Sequence, residues 1–305
     1  EAQAEEEKHP PEGRHMGPSI APCPPFVPEV RDAVQRVMDR LEQSPEGRPR
    51  AEWSYRLAEL MNKSSVRPGL VVLLNECPDW LEELLFCAAV SHCVSSLLLH
   101  QPSLIEGLPR KGEAEGSRVW QERAGRIMGR ETGYEQRLEW IRRLKNERML
   151  NVALHDVHGR LAPGELEREL TALAEWTIQS TWEVIVNEYL PRTDLRVAVL
   201  ALGKLGSREM GYLSDLDLMF VCAPPAGGGD HIPSQAVKLI QRLMRMLSTP
   251  LQEGPGYEVD AQIRPSGNYG PLIVTSTRWI DYYSREADIW EIQALLRMRA
   301  VAGDK

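Results

Sequence analysis

The sequence predicts an α+β fold: a helical N-terminal domain, then a mixed β-sheet domain, then the start of a C-terminal helical segment. Before residue 191, apolar residues recur every three or four positions, which is the period of helices that bury one face. Beyond that point they form short runs rich in β-branched side chains, which are typical of buried strands. The predicted parts are a disordered lead-in at 1–29, a helical domain at 30–190, a sheet domain at 191–276 and a helical segment at 277–305.

Each predicted element follows from its local pattern. The first 29 residues are rich in proline and glutamate and lack an apolar period, so they predict disorder. Helical spacing predicts helices at 30–41, from residue 78 onward, and at 134–150, 165–189, 233–247, 279–283 and 288–299. Strands are predicted at 195–202, 216–221, 257–263 and 272–275. The basic residues at 137–148 predict a solvated helix face, with an interface for an acidic partner as the alternative.

The overall composition argues against several classes of partner. The chain has 36 Lys and Arg against 44 Asp and Glu, so its formal net charge is −8, and no nucleic-acid partner is expected. Its apolar runs are far shorter than the roughly 20 residues that span a bilayer, so no membrane partner is expected either. The five cysteines form no C-x-x-C pair, which favours a reducing cytoplasm over a disulfide framework.

Two aspartates stand two positions apart where the second predicted strand begins. Because side chains alternate along a strand, Asp215 and Asp217 point to the same face, and their like charges repel. A divalent cation relieves that repulsion, and Mg²⁺ is usually held by one or two carboxylates plus substrate phosphates. Asp260, in the third strand, reaches the same cluster if the two strands are neighbours. Three such carboxylates can hold two metal ions about 4 Å apart, the arrangement used for phosphoryl or nucleotidyl transfer.

The segment between the first two strands predicts a phosphate-binding site. Gly206 and Ser207 lie where a short helix is expected to begin, and glycine lets backbone N–H groups approach a phosphate closely. The serine hydroxyl adds a donor. Lys204 and Arg264 are expected to offset phosphate charge. Ser214, directly before the aspartate pair, is grouped with them as a nucleotide-binding residue.

The order of these features resembles the nucleotidyltransferase superfamily: a strand, a Gly-Ser pair, D-x-D on a second strand and an aspartate on a later strand. Three blocks narrow the resemblance to the glutamine synthetase adenylyltransferases, namely LGKLGSREMGYLSDLDLMFV, YEVDAQIRPSGNYGPLIVTS and WEIQALLRMRAVAGD. Upstream, RLKNERMLNVALHDVHGRL resembles the helical segment that precedes the catalytic domain in that family. The similarity covers residues 139–304.

The resemblance implies an enzyme that uses Mg²⁺ and ATP to transfer AMP to a tyrosine of glutamine synthetase, and that thereby regulates nitrogen assimilation. It implies that Asp215, Asp217 and Asp260 are catalytic metal ligands, and that Gly206 and Ser207 hold the nucleotide phosphates. The implied partners are glutamine synthetase, as the protein substrate, and the signalling protein PII. The implied location is the cytoplasm.

Two departures from the family pattern leave alternatives open. Gly206-Ser207 stands where the family commonly has Gly-Gly, although Ser is the form of the wider superfamily. Gln262 replaces the first arginine of the usual D-x-R-L-R-P, which removes a positive charge near the phosphates. The alternatives are phosphorolytic removal of AMP from glutamine synthetase and a non-catalytic module that binds nucleotide or PII. The chain is about a third as long as a two-domain member, which predicts a fragment or a short single-domain relative.

Overall fold

The computed structural model describes residues 30–43, 50–106, 116–190, 195–224 and 231–304. The predicted lead-in at 1–29 and the predicted start of the sheet domain at 191 lie outside these ranges. Within them, helices and a mixed sheet confirm the α+β class.

The helical half follows the predicted apolar period. Helix α4 begins at a proline, whose missing N–H is no loss in a first turn, and it buries Leu81, Leu84 and Leu85. The two longest helices, α7 and α8, pack against each other, and α8 also contacts the sheet. The helices here are α1 (Arg31–Glu42), α2 (Arg50–Asn62), α3 (Arg67–Glu76), α4 (Pro78–Val90), α5 (His92–His100), α6 (Ser117–Met128), α7 (Tyr134–Val157) and α8 (Glu165–Tyr189), with a 3-10 turn at Pro102–Ile105.

The sheet is mixed, and its second strand is the hub. Strand β2 pairs antiparallel with β1 and parallel with both β3 and β4, while β1 also pairs antiparallel with β5. The strand order is therefore β3-β2-β1-β5, and β4 lies beside the far end of β2. The strands are β1 (Val197–Ala201), β2 (Leu216–Cys222), β3 (Val259–Asp260), β4 (Ile273–Thr275) and β5 (Arg299–Gly303); the helices between them are α9 (Gly203–Ser207), α10 (Ser234–Ser248), α11 (Ser276–Arg285) and α12 (Ile289–Leu295).

The predicted helix at 288–299 is wrong in its second half. Helix α12 ends at Leu295, and Arg299–Gly303 forms strand β5 on the free edge of β1. The carboxylate of Asp304 also accepts a hydrogen bond from the Val197 N–H at 2.9 Å. A short apolar run suits a helix or a strand equally well, and here the backbone groups of β1 determine the outcome because they require partners.

One apolar core joins the two halves. It extends from the N-terminal helices through α8 to buried residues of β1, β2 and α10, such as Val199, Phe220 and Ile240. In the described part of the chain, no single helix is long and apolar enough to cross a membrane. Helices α4 and α5 reach that length and apolar composition only when they are taken together, and they are bent by 111° at the break between them.

The basic residues of α7 correct another prediction. Arg142, Lys145 and Arg148 are buried rather than solvated, with no more than 5% of each residue exposed. The pKa of Lys145 is lowered from its ordinary 10.5 to about 7, first by burial and then by the nearby charge of Arg142, while Cys93 opposes the shift. Sequence periodicity cannot distinguish such a face from a solvated one, because the partners of Arg142 and Lys145 lie about a hundred residues away along the chain.

This buried lysine predicts a pH dependence of stability. Between pH 7 and 10.5 the unfolded chain holds a proton on Lys145 that the folded chain lacks, so the free energy of unfolding rises with pH. The penalty for burial is fully present below pH 7. Relative to Lys145→Met, we expect the wild type to gain at most about 1.4 kcal/mol per pH unit above pH 7. Urea unfolding of both proteins from pH 6 to 9 measures the difference, and a pH-independent difference would contradict the expectation.

Candidate active site

Three carboxylates meet at one end of strand β2. Asp217 lies directly across from Asp260 in the parallel pairing of β2 and β3, and Asp215 precedes β2 by one residue. Each offers a carboxylate oxygen, and these oxygens all lie within 4.8 Å of one another. All three side chains are half-buried. The structure therefore brings together the three aspartates that were predicted to bind metal.

The cluster holds excess negative charge. The pKa of the Asp217 carboxyl is raised, first by burial and then by the charges of Asp215 and Asp260, while Lys204 lowers it. Asp260 is oriented by the backbone N–H of Gln262, which donates to its Oδ1 at 2.8 Å. Three oxygen ligands so close together match the ligand preference of Mg²⁺. The donor set thus fits a hard divalent cation, which would also neutralise the repulsion.

Gly203 makes room for the central carboxylate. It follows β1 by two residues, begins α9, and has a backbone φ of +50°. A Cβ atom built there would lie 2.8 Å from Cγ of Asp217 and would overlap its Oδ2. Gly203 was not among the predicted site residues. The available signal was the first glycine of G-K-L-G-S, which is close to the acidic pair along the chain.

Gly206 has a packing role that the sequence analysis missed. Its N–H donates to the Leu202 carbonyl at 2.6 Å, and its own carbonyl accepts from Nε of Arg299 at 2.7 Å. A Cβ atom there would overlap the backbone carbonyl of Arg297. The short helix begins at Gly203 rather than at Gly206-Ser207, so the predicted helix start is corrected. Both polar groups of Gly206 therefore already have partners within the protein.

Of the other predicted nucleotide-binding residues, Lys204 is close enough to lower the pKa of the Asp217 carboxyl. The Ser207 hydroxyl donates to the Glu209 carboxylate at 2.7 Å, whereas Lys204 is exposed. Ser214 Oγ accepts from the Gly211 N–H at 2.9 Å, which shapes the turn before the aspartate pair. On α9, Lys204 is therefore exposed and Ser207 is half-buried, while Ser214 has a local structural role.

Arg264 lies half-buried just beyond Asp260. Its guanidinium donates to the Ala261 carbonyl, and its Nε has no hydrogen-bond partner among the described residues. A second arginine, Arg299 of β5, was not predicted. It ties α9 to α8 because its Nη2 donates to Glu175 at 2.6 Å while its Nε holds Gly206. Arg299 therefore helps to fix the turn that carries Gly203.

Paired carboxylates at the start of a strand, a third on the neighbouring strand and a glycine-led turn beside them match the arrangement that the sequence resemblance implies for a nucleotidyltransferase. Residues 81–305 match a family model described as glutamate-ammonia ligase adenylyltransferase. Because the match covers most of the chain, the protein belongs to that family. It is an adenylyltransferase whose family acts on glutamate–ammonia ligase, which is glutamine synthetase. The match begins in α4, upstream of the blocks on which the resemblance was based.

Proposed function

We propose that this chain transfers AMP from ATP to a tyrosine hydroxyl of glutamine synthetase, in a reaction that depends on Mg²⁺ bound by Asp215, Asp217 and Asp260. The observation that carries the proposal is the convergence of three carboxylate oxygens within 4.8 Å. A bound cation would offset the charge of this set, because burial and mutual repulsion both disfavour the ionised form of Asp217.

The residues divide the work of the reaction. The tyrosine oxygen forms a bond to the α-phosphorus of ATP, the bond from that phosphorus to the pyrophosphate oxygen breaks, and the hydroxyl proton passes to solvent water. Bound Mg²⁺ would supply charge neutralisation and a lower pKa for the attacking hydroxyl. The three aspartates would hold the Mg²⁺, while Lys204 and Arg264 would offset phosphate charge. The hydroxyl of Ser207, which donates to Glu209 in the free protein, would add a further donor to the phosphates.

Gln262 does not argue against activity. The group that orients Asp260 is the backbone N–H of residue 262, which any residue except proline supplies. The side chain of Gln262 is exposed and accepts from Asn268 at 3.3 Å. Replacing the usual arginine here thus removes a positive charge near the phosphates but leaves the third carboxylate in place.

Regulation belongs to the same proposal. Attachment of AMP would reduce nitrogen assimilation by glutamine synthetase, and PII together with glutamine would set the balance with the reverse process. Phosphorolytic removal of AMP, which yields ADP, would use the same carboxylates with phosphate as the nucleophile. A non-catalytic module would bind ATP or PII without either reaction.

The test incubates the chain with ATP labelled in its α-phosphate, Mg²⁺ and unmodified glutamine synthetase. We expect label on a tyrosine of the synthetase, release of pyrophosphate, and loss of both on chelation with EDTA. A parallel reaction contains adenylylated glutamine synthetase and inorganic phosphate; ADP formation there without label transfer would favour the removal reaction. Calorimetric binding of ATP with no turnover in either reaction would favour the non-catalytic module.

A further inference from the structure

Helix α7 directs four polar side chains toward the sheet domain. The four are Glu139 and the residues three, six and seven positions after it, Arg142, Lys145 and Asn146. This spacing puts them on one face of the helix. Arg142 and Lys145 are each only 4% exposed, and Asn146 is fully buried. We name these four side chains the α7 clamp. Buried polar groups of this kind are costly unless they are hydrogen-bonded, so their partners indicate what the clamp is for.

Arg142 caps the C-terminal end of α10. Its Nη2 donates to the Met246 carbonyl at 2.8 Å and to the Thr249 carbonyl at 3.2 Å. The last carbonyls of a helix lack partners within the helix and carry partial negative charge, which a guanidinium satisfies well. Arg142 thereby fixes the point at which the chain leaves α10.

The other clamp residues hold the segment that follows. Lys145 Nζ donates to the Pro255 carbonyl at 3.1 Å, and Asn146 Nδ2 donates to the Glu253 carbonyl at 2.7 Å. The Glu139 carboxylate accepts from the Glu253 N–H at 3.0 Å. The connection from α10 to β3 is thus bound at several backbone groups by one face of α7.

Two glycines let this segment lie directly on the clamp. Gly254 has a φ of +98°, and a Cβ atom there would lie 2.6 Å from Nδ2 of Asn146. A Cβ atom at Gly256 would lie 2.8 Å from the Ser248 carbonyl oxygen and would overlap the guanidinium of Arg142. The sequence E-G-P-G in this connection therefore matches the surface that the clamp presents.

The segment that the clamp contacts ends at Tyr257, three residues before the third carboxylate. Tyr257 is buried, its N–H donates to the Leu247 carbonyl at 2.9 Å, and Lys145 Nζ lies 4.8 Å from its ring centroid. The following strand is only two residues long, Val259–Asp260, and so short a pairing holds little by itself. The position of Asp260 thus depends on how its approach is anchored.

We infer that the α7 clamp is the positioning device for Asp260, so that a helix of the N-terminal half determines where the third carboxylate stands. Arg142 and Lys145 are its central positioning residues; neither touches the carboxylate cluster. The inference rests on the proposed function, because it assigns the clamp to the assembly of that same metal site.

The test compares Arg142→Met with Arg148→Met. Arg148 is an equally buried arginine of α7, but its Nη2 pairs with Glu169 of α8 at 2.7 Å. We measure Mn²⁺ binding by electron paramagnetic resonance, with a non-hydrolysable ATP analogue present, together with kcat and KM for AMP transfer. We expect Arg142→Met to bind Mn²⁺ about 10- to 100-fold more weakly, the loss typical of residues that support metal ligands, and to lower kcat with little change in the KM for glutamine synthetase.

The control and the rescue decide between positioning and general stability. We expect Arg148→Met to lose thermal stability but to keep wild-type Mn²⁺ affinity, and Arg142→Lys to recover part of the lost affinity. If Arg142→Met does not fold, Lys145→Met takes its place. A folded clamp variant with wild-type Mn²⁺ affinity and wild-type amide exchange at 257–260 would overturn the inference.

Failure of the proposed function is a separate result. If the single variant Asp217→Asn binds Mn²⁺ as tightly as the wild-type protein does, the carboxylates are not the metal site and the proposed function fails. The clamp is then still tested by amide exchange at 257–260, because loss of protection there in Arg142→Met, but not in Arg148→Met, measures anchoring directly. Equal protection in both variants would overturn the clamp.

Discussion

Replacing Asp217 with asparagine is expected to abolish AMP transfer while raising the thermal stability of the metal-free protein. Asp217 stands between the other two carboxylates, across from Asp260 in the strand pairing and two residues from Asp215. Removing a group that only supports a metal ligand typically lowers metal affinity or activity about 10- to 100-fold. We therefore expect loss of the central ligand to lower AMP transfer by more than about 100-fold. Label transfer to glutamine synthetase measures the effect.

The stability change has the opposite sign for a physical reason. The pKa of Asp217 is raised in the folded state, so its charged form is less favourable there than in the unfolded chain. Above that pKa the neutral asparagine removes a repulsion, and a thermal melt in EDTA should shift upward. Asp39→Asn, at an exposed position of helix α1, is the matched control and should change neither AMP transfer nor the melting temperature. Undiminished transfer by the Asp217 variant would remove the metal role.

Replacing Gly203 with alanine is expected to lower AMP transfer by about 100-fold, although the residue carries no functional group. The new Cβ atom would overlap the Asp217 carboxylate and force it to move, and a displacement of about 1 Å at a reacting centre can cost that much. Alanine is also strained at a φ of +50°, which should cost about 1 kcal/mol or more of stability. The assay and urea unfolding measure the two effects separately.

A second glycine gives the matched control for this change. Gly125 lies inside α6, and a Cβ atom there would meet nothing within 4 Å. Gly125→Ala should therefore stabilise the protein by about 0.5–1 kcal/mol and leave transfer unchanged. If Gly203→Ala keeps full activity and Mn²⁺ affinity, the fit between this glycine and the Asp217 carboxylate has no catalytic importance.

The acidic residues of the site could be selected from the sequence because strand geometry is local. A D-x-D pair at the start of a strand puts both carboxylates on one face, wherever the strand lies in the protein. Helices such as α8 and α10 could also be predicted from the sequence, because their apolar period is visible within a single continuous segment. The role of Gly203 was harder to predict, because a glycine that makes space is recognised only by what occupies that space.

Other features depended on contacts between distant segments. The same local pattern at Arg299–Gly303 suits a helix or a strand, and it forms a strand because the edge of β1 lies open beside it. The sequence predicts that the charged face of α7 is solvated. In the structure Arg142 and Lys145 are buried, because the 249–257 connection crosses this face.

Residue types and their short-range spacing therefore specified which side chains could bind a cation and which segments would be helical. The arrangement in space specified that Asp260 stands opposite Asp217, and that α7 anchors the chain leading to it. Hydrogen bonds between groups a hundred residues apart form only when the whole chain packs, and no pattern within a single segment encodes them.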